Sequence, residues 1–164
     1  MKINIQNLTD GLHEISEQVE PLFVSKELQR FYPEICQVDV TLDKFGKDYR
    51  VDVHLTTTAH YICHRCLSPY TAKFDVRQRQ LYQIGAVPGG GDADIVELST
   101  NAIEIDISPL MKEMIILNHP IKMLCKEDCK GICPNCGADW NHEVCRCGEE
   151  VADPRWEQLR KLIK

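Results

Sequence analysis

Apolar and polar residues alternate at the start of the chain, in Ile3-Asn4-Ile5, and again over residues 38–42, where Val38, Val40 and Leu42 are separated by polar side chains. This period of two marks half-buried strands. Residues 43–48 hold one glycine and four charges and predict a turn before the alternating run YRVDVHL at 49–55, so the two runs predict a hairpin. Phe74 and Val76 alternate with Lys73, Asp75 and Arg77, which predicts a further strand ending near Tyr82 with a basic outer face. Residues 1–84 therefore read as strands. The period changes at Ser108-Pro109, where Ser is expected as N-cap and Pro as first helical residue. Leu110, Met114 and Leu117 follow at helical spacing, and Asn118-His119-Pro120 ends the helix predicted over 108–118. Asp153-Pro154 repeats the start signal, with Trp156, Leu159 and Ile163 on one stripe, so a C-terminal helix over 153–164 is expected to dock onto its parent domain.

Residues 85–94, GAVPGGGDAD, carry four glycines and one proline and predict a mobile loop. No Lys or Arg occurs over residues 83–110, whereas Asp92, Asp94, Glu97, Glu104 and Asp106 do, which makes that stretch locally acidic. The expected class is α+β, with a mainly antiparallel sheet in the N-terminal half and two short helices and a cysteine-rich zinc module in the C-terminal half. The expected layout is a strand-rich domain over 1–124, the zinc module over 125–150 and the helix over 153–164.

With 164 residues, 43% hydrophobic and 27% charged, the chain can build one ordinary core. No stretch has the roughly 18 apolar residues of a membrane span, and the start MKINIQNLTDG lacks the features of a signal peptide, so a cytoplasmic protein without a membrane partner is expected. In that compartment thiols stay reduced, and nine cysteines point to metal rather than disulfides. A net charge of −6 argues against a protein that grips RNA over its whole surface, and eight thiolates with two divalent ions would lower the charge further. Any nucleic-acid contact must be local.

Eight cysteines form four close pairs: Cys63 and Cys66, Cys125 and Cys129, Cys133 and Cys136, Cys145 and Cys147. Two cysteines on a short turn can aim both sulfurs at one ion, so four pairs predict two tetrahedral zinc sites. Gly131 and Gly137 suit such turns because backbone wrapping a metal demands positive φ. Cys133, Cys136, Cys145 and Cys147 lie within fifteen residues, which favours them as one set and leaves Cys63 and Cys66 to join Cys125 and Cys129 across the domain. A rival partition groups Cys125, Cys129, Cys133 and Cys136. Cys36 has no near partner and reads as a small buried hydrophobe. His64 and His142 lie beside complete cysteine sets and are not needed as ligands. Thioredoxin-like chemistry would need CxxC at the start of a helix in a βαβ pattern, whereas strands flank CHRC here. A zinc deaminase would need H-x-E before P-C-x-x-C, which is absent. Saturated four-cysteine sites have no open position, so two structural zinc ions, no catalytic residue and no small-molecule substrate are expected.

The run LCKEDCKGICPNCGADWN, then CRC and DPRWEQLRKL, together with CHRC and IDISPLMKEMIILNHP, resembles the bacterial YceD family of large ribosomal RNA subunit accumulation proteins. The resemblance implies a role in accumulation of 23S ribosomal RNA and brings no catalytic residues. Family branches that lack the CPxCG and CxC part keep CxxC and a downstream ligand pair, which supports grouping Cys63 and Cys66 with Cys125 and Cys129.

Two modes of action follow. In the first, the chain binds ribosomal RNA, a large-subunit ribosomal protein or a precursor particle, with Lys73, Arg77 and Arg79 on the strand, Arg65 on the first cysteine turn and Lys122, Lys126 and Lys130 around the second pair as contacts. If metal joins the first two pairs, these clusters are expected to become neighbours. In the second, the acidic stretch makes the chain an adaptor for a basic ribosomal protein without direct RNA contact.

Overall fold

The computed structural model describes residues 1–85 and 95–147. Ten elements occur among them: strands β1 (Lys2–Asn4), β2 (Gly11–Val19), β3 (Cys36–Phe45), β4 (Asp48–Ile62), β5 (Pro69–Ile84), β6 (Ile95–Leu98) and β7 (Glu104–Asp106), helices α1 (Lys26–Gln29) and α2 (Ser108–Asn118), and a single 3-10 turn over Pro21–Phe23. The architecture is mostly β-sheet in the N-terminal half with few short helices. Strands β2-β3-β4-β5-β6 form one sheet, and β1 and β7 form a two-stranded antiparallel ribbon. β3 is antiparallel to β2 and to β4, whereas β6 runs parallel to β5, with Leu81 opposite Ile95.

The alternation in β3 and β4 sets the core. Val38, Val40 and Leu42 of β3 and Val51, Val53 and Leu55 of β4 are buried at 1% exposure or less, and burial of each such side chain contributes about 1.5–3 kcal/mol. Helix α2 supplies Leu110, Met111, Met114 and Ile115 to the core, and Ile105 and Ile107 lead into it. Cys36 is fully buried, and burial raises its thiol above the usual range. Tyr32, also fully buried, sits between strand and helix side chains: its Oη lies 2.9 Å from Tyr61 Oη and 2.9 Å from Nδ1 of His119.

Several expectations need correction. The 43–48 turn contracts to Gly46-Lys47, because β3 runs to Phe45 and β4 starts at Asp48. β4 continues seven residues past Leu55; the threonines at 56–58 interrupt the apolar alternation but are β-branched and favour strand, and Thr57 faces inward. β2 falls within the stretch read as strands but carries no clear alternation, because an edge strand buries little on either side, whereas α1 interrupts that stretch with a short helix. In α2, Ile107 holds the cap position and Ser108 is already helical; its N–H donates to Asp106 Oδ1 instead. Leu117 is 68% exposed, since the buried stripe runs through Met111 and Ile115. Most of the predicted 85–94 loop and the whole predicted 153–164 helix, with Trp156, Leu159 and Ile163, lie outside the described residues.

The outer face of the sheet is a lattice of charge pairs. Arg50 meets Asp43 at 2.6 Å, Arg79 meets Asp52 at 2.7 Å, His54 Nε2 lies 2.8 Å from Asp75, and Lys73 also binds Asp75. Its neighbours Lys73 and His54 hold the Asp75 carboxyl down at about 2. A shallow depression of about 680 Å³ lies over this lattice, lined by Asp39, Asp52, His54, Arg77 and Arg79 among others.

The chain divides into two compact units, one of residues 1–61 and 70–121, the other of residues 62–69 and the chain from 122 onward. The CHRC turn between β4 and β5 thus clusters with the C-terminal cysteines, which a cut at residue 124 does not capture.

Candidate metal centres

The second unit is organised by two copies of one loop. In CHRC, Cys63 N–H donates to Ser68 O at 2.9 Å and Leu67 N–H donates back to Cys63 O at 2.9 Å. In CPNC, Cys133 N–H donates to Ala138 O at 2.8 Å and Gly137 N–H donates to Cys133 O at 2.9 Å. These paired bonds close each turn tightly enough to aim both sulfurs the same way. Outside the turns, Lys126 O accepts from Cys129 N–H at 3.2 Å, and Ile132 and Asp139 form an isolated bridge.

Two four-sulfur sets result. Cys63, Cys66, Cys125 and Cys129 form one, and Cys133, Cys136, Cys145 and Cys147 the other, with all sulfurs of a set within 4.8 Å of one another. In the first, Cys63 and Cys129 are 3.8 Å apart and Cys66 and Cys125 3.7 Å. In the second, the separations include 3.9 Å for Cys133–Cys147, 3.7 Å for Cys136–Cys145 and 3.4 Å for Cys133–Cys145. A tetrahedron with metal–sulfur distances of about 2.3 Å has edges of roughly 3.8 Å, so both donor sets fit a four-coordinate ion, while a disulfide would need about 2.05 Å. The sets differ in exposure: Cys63, Cys66 and Cys129 are buried, whereas Cys136 and Cys147 are open to solvent.

The electrostatics of four clustered thiols suit such a set to a cation. Burial opposes charge on Cys63, but the backbone N–H groups of Cys66, Cys125 and Arg65 outweigh it and bring the thiol down to about 6. The N–H groups of Cys136 and Asn135 do the same for Cys133, also to about 6. Burial and the neighbouring thiols of Cys129, Cys66 and Cys63 push Cys125 up to about 12, and Cys136 and Cys145 push Cys147 up to about 12. Each set by itself favours some thiolate character but resists full ionisation; a divalent cation removes that resistance.

Arg65, expected at an RNA interface, is exposed but spends its guanidinium within its own unit: Nη1 donates to Cys129 O at 2.8 Å and to Glu127 O at 3.1 Å. It thereby ties the CHRC turn to the Cys125–Cys129 segment. Lys122, Lys126 and Lys130 are exposed in the same unit, and no carboxylate lies within ion-pair distance of them among the described residues. Lys73, Arg77 and Arg79 belong to the sheet unit, where Lys73 and Arg79 are paired with aspartates and Arg77 has no ion pair among the described residues. His64 and His142 belong to neither sulfur set. Asn141 carried no signal in the sequence, yet its Nδ2 donates to Cys129 Sγ at 3.4 Å.

The family model for the large ribosomal RNA subunit accumulation protein YceD matches residues 51–163, which include all eight paired cysteines. The chain belongs to the YceD family. The family's description is that of a large ribosomal RNA subunit accumulation protein. Among relatives, an uncharacterized protein of Bacillus subtilis, YlbN, is 33% identical over 144 residues, covering 86% of this chain and 80% of the relative. An uncharacterized protein of Mycobacterium tuberculosis is 30% identical over 105 residues, covering 62% of this chain and 49% of the relative, so the match spans about half the length of the mycobacterial protein. The chloroplastic YCED homolog 1 of Arabidopsis thaliana, a large ribosomal RNA subunit accumulation protein, is 39% identical over 59 residues, covering 36% of this chain and 18% of the relative. No solved structure matches this YceD-family chain. Among its described residues no helix is long and apolar enough to cross a membrane.

Proposed function

We propose that this YceD-family protein is a non-enzymatic factor of the cytoplasm, that it supports accumulation of 23S ribosomal RNA and assembly of the large ribosomal subunit, and that two structural zinc ions shape its binding surface. The observation that carries this reading is the pair of closed four-sulfur sets. Thiolate donors in tetrahedral array select zinc among the abundant divalent ions, and four cysteines per ion leave no position for water or substrate. Cys63, Cys66, Cys125 and Cys129 would hold one ion, and Cys133, Cys136, Cys145 and Cys147 the other.

Binding to ribosomal RNA or to a precursor particle is favoured by the distribution of unpaired cations. Among the described residues, aspartates on the sheet neutralise Lys73 and Arg79 but form no ion pair with Arg77, while Lys122, Lys126 and Lys130 in the cysteine unit form no close ion pair, Asp139 acting on Lys126 only at longer range. The acidic stretch offers less to a basic ribosomal protein. Glu104 is taken up by Lys2 and Asp106 by the Ser108 N–H, and Asp92 and Asp94 lie outside the described residues. Titrating salt against binding of the full-length protein to ribosomal RNA tests the choice: affinity should fall steeply with salt, since phosphate contacts release counterions. Absence of RNA binding, with retention of a large-subunit ribosomal protein instead, would establish the adaptor mode.

A further inference from the structure

The loop between Cys136 and Cys145 folds back on the other set. Trp140 N–H donates to Gly131 O at 3.0 Å, His142 N–H donates to Asp139 O at 3.0 Å, and Asp139 Oδ1 accepts from Asn141 N–H at 2.9 Å. These bonds leave the Asn141 side chain one orientation. Its Oδ1 accepts from Lys130 N–H at 3.0 Å, which puts Nδ2 on the other side, where it donates to Asp139 Oδ1 at 2.6 Å and to Cys129 Sγ at 3.4 Å. The backbone N–H at Lys130 can only donate, so the amide cannot be flipped without losing that bond. Asn141 is therefore held by a loop whose two ends are ligands of the second sulfur set, while its donor rests on a ligand of the first.

We propose that Asn141 is a positioning residue that couples the two metal centres, so that filling the Cys133 set strengthens metal binding at the Cys63 set. The inference rests on the metal reading above. An N–H donor withdraws charge from a metal-bound thiolate and fixes the sulfur's orientation, and such outer contacts commonly change metal affinity by about 10- to 100-fold. When the second set is empty, Cys136 and Cys145 no longer anchor the ends of the loop, and the donor is no longer held against Cys129. Linkage makes the effect reciprocal: the first ion must favour the second to the same degree. Cys129 is the only sulfur of the first set with a side-chain donor from the second loop among the described residues.

The test is a chelator titration of the zinc-loaded full-length protein, followed through residue-resolved amide signals, Leu67 reporting the first set and Gly137 the second. Replacing Cys133→Ser with Cys136→Ser should weaken the first set at least about tenfold, Asn141→Ala alone should do nearly the same, and the combined variant should lose no more than either. In cobalt-substituted protein the sulfur-to-metal charge-transfer band of the first set should shift in Asn141→Ala and in Asn141→Asp, the latter keeping the acceptor for Lys130 N–H but lacking the donor to sulfur. An unchanged first-set affinity in the Cys133 and Cys136 variant, losses that multiply in the combined variant, or an unmoved band in Asn141→Asp would each overturn the coupling. A wild-type protein that binds no metal at all would overturn the metal reading itself, and elemental analysis of the same sample separates that outcome from two ions bound independently.

Discussion

Leu67 and Gly137 occupy the same place in two copies of one loop. Each follows the second cysteine of a CxxC pair, each has a left-handed backbone, with φ of 60° and 75°, and each donates its N–H to the carbonyl of the cysteine four residues earlier. Leu67 is the one non-glycine residue with positive φ among the described residues. A leucine there carries about 1–2 kcal/mol of backbone strain that glycine avoids, and its side chain, 60% exposed, recovers little by burial.

Leu67→Gly is accordingly expected to be neutral or slightly stabilising, with relief of strain offset by about 0.5–1 kcal/mol of extra freedom in the unfolded chain. Gly137→Ala should cost about 1–2 kcal/mol, since an added Cβ meets nothing but must adopt φ of +75°. Gly131→Ala should cost more than Gly137→Ala, because its φ is +82° and the new Cβ would stand 3.1 Å from Arg65 O. Chemical unfolding of the zinc-loaded variants gives the order, and a Leu67→Gly loss as large as that of Gly131→Ala would refute it.

Purified protein should carry close to two zinc ions per chain, set by the two complete sulfur sets. Elemental analysis measures this directly. A reproducible value near one, with all thiols intact, would show that one set does not bind.

Loss of each set should have a different reach. The CHRC turn joins β4 to β5, so replacing Cys63→Ser with Cys66→Ser should lower amide protection in those strands as well as in the cysteine unit. With Cys133→Ser and Cys136→Ser, protection in β3 and β4 should persist even as the first set binds its ion more weakly. Hydrogen exchange read separately over residues 36–62 and 122–147 distinguishes them, and strand protection lost only in the Cys133 and Cys136 variant would reverse the assignment.

His119 should make stability pH-dependent. Burial, aided by nearby Arg30, holds its imidazole below the ordinary 6.5, and its Nδ1 shares a hydrogen bond with the Tyr32 hydroxyl, which Tyr61 also faces. Between the depressed folded value and 6.5 the unfolded chain binds the proton first, so this contribution is present above about pH 6.5 and is lost as pH falls through that window. Thermal unfolding of wild type and His119→Gln across pH 5 to 8 isolates it, because metal loss affects both alike. Equal slopes for the two proteins would remove His119 as the cause.

Charge reversal should sort the cations by their partners. Lys126→Glu and Lys130→Glu should each weaken RNA binding and reduce the salt dependence by roughly one phosphate contact. Arg77→Glu should weaken it more than Lys73→Glu, since Asp75 already neutralises Lys73. Binding unaffected by all four would move the interface elsewhere.

The four cysteine pairs were legible because a four-cysteine cluster draws on one residue type at close, repeated spacings that stand out along the chain. The strands carrying Val38, Val40, Val51 and Val53 were legible because a face buried on one side imposes a period of two. Helix α2 was found through its proline and aliphatic spacing, although its cap and the exposure of Leu117 depend on which neighbours cover the helix, and no local signal carries that. Tertiary structure alone decided the rest. Arg65 satisfies backbone carbonyls that only the folded cysteine unit brings to it, the aspartates that neutralise Lys73 and Arg79 were visible but not their pairing across strands, and Asn141 reaches Cys129 through a fold-back of the chain. Such contacts join groups whose partner is set by packing rather than by spacing, whereas a metal ion writes its geometry directly into the order of its ligands.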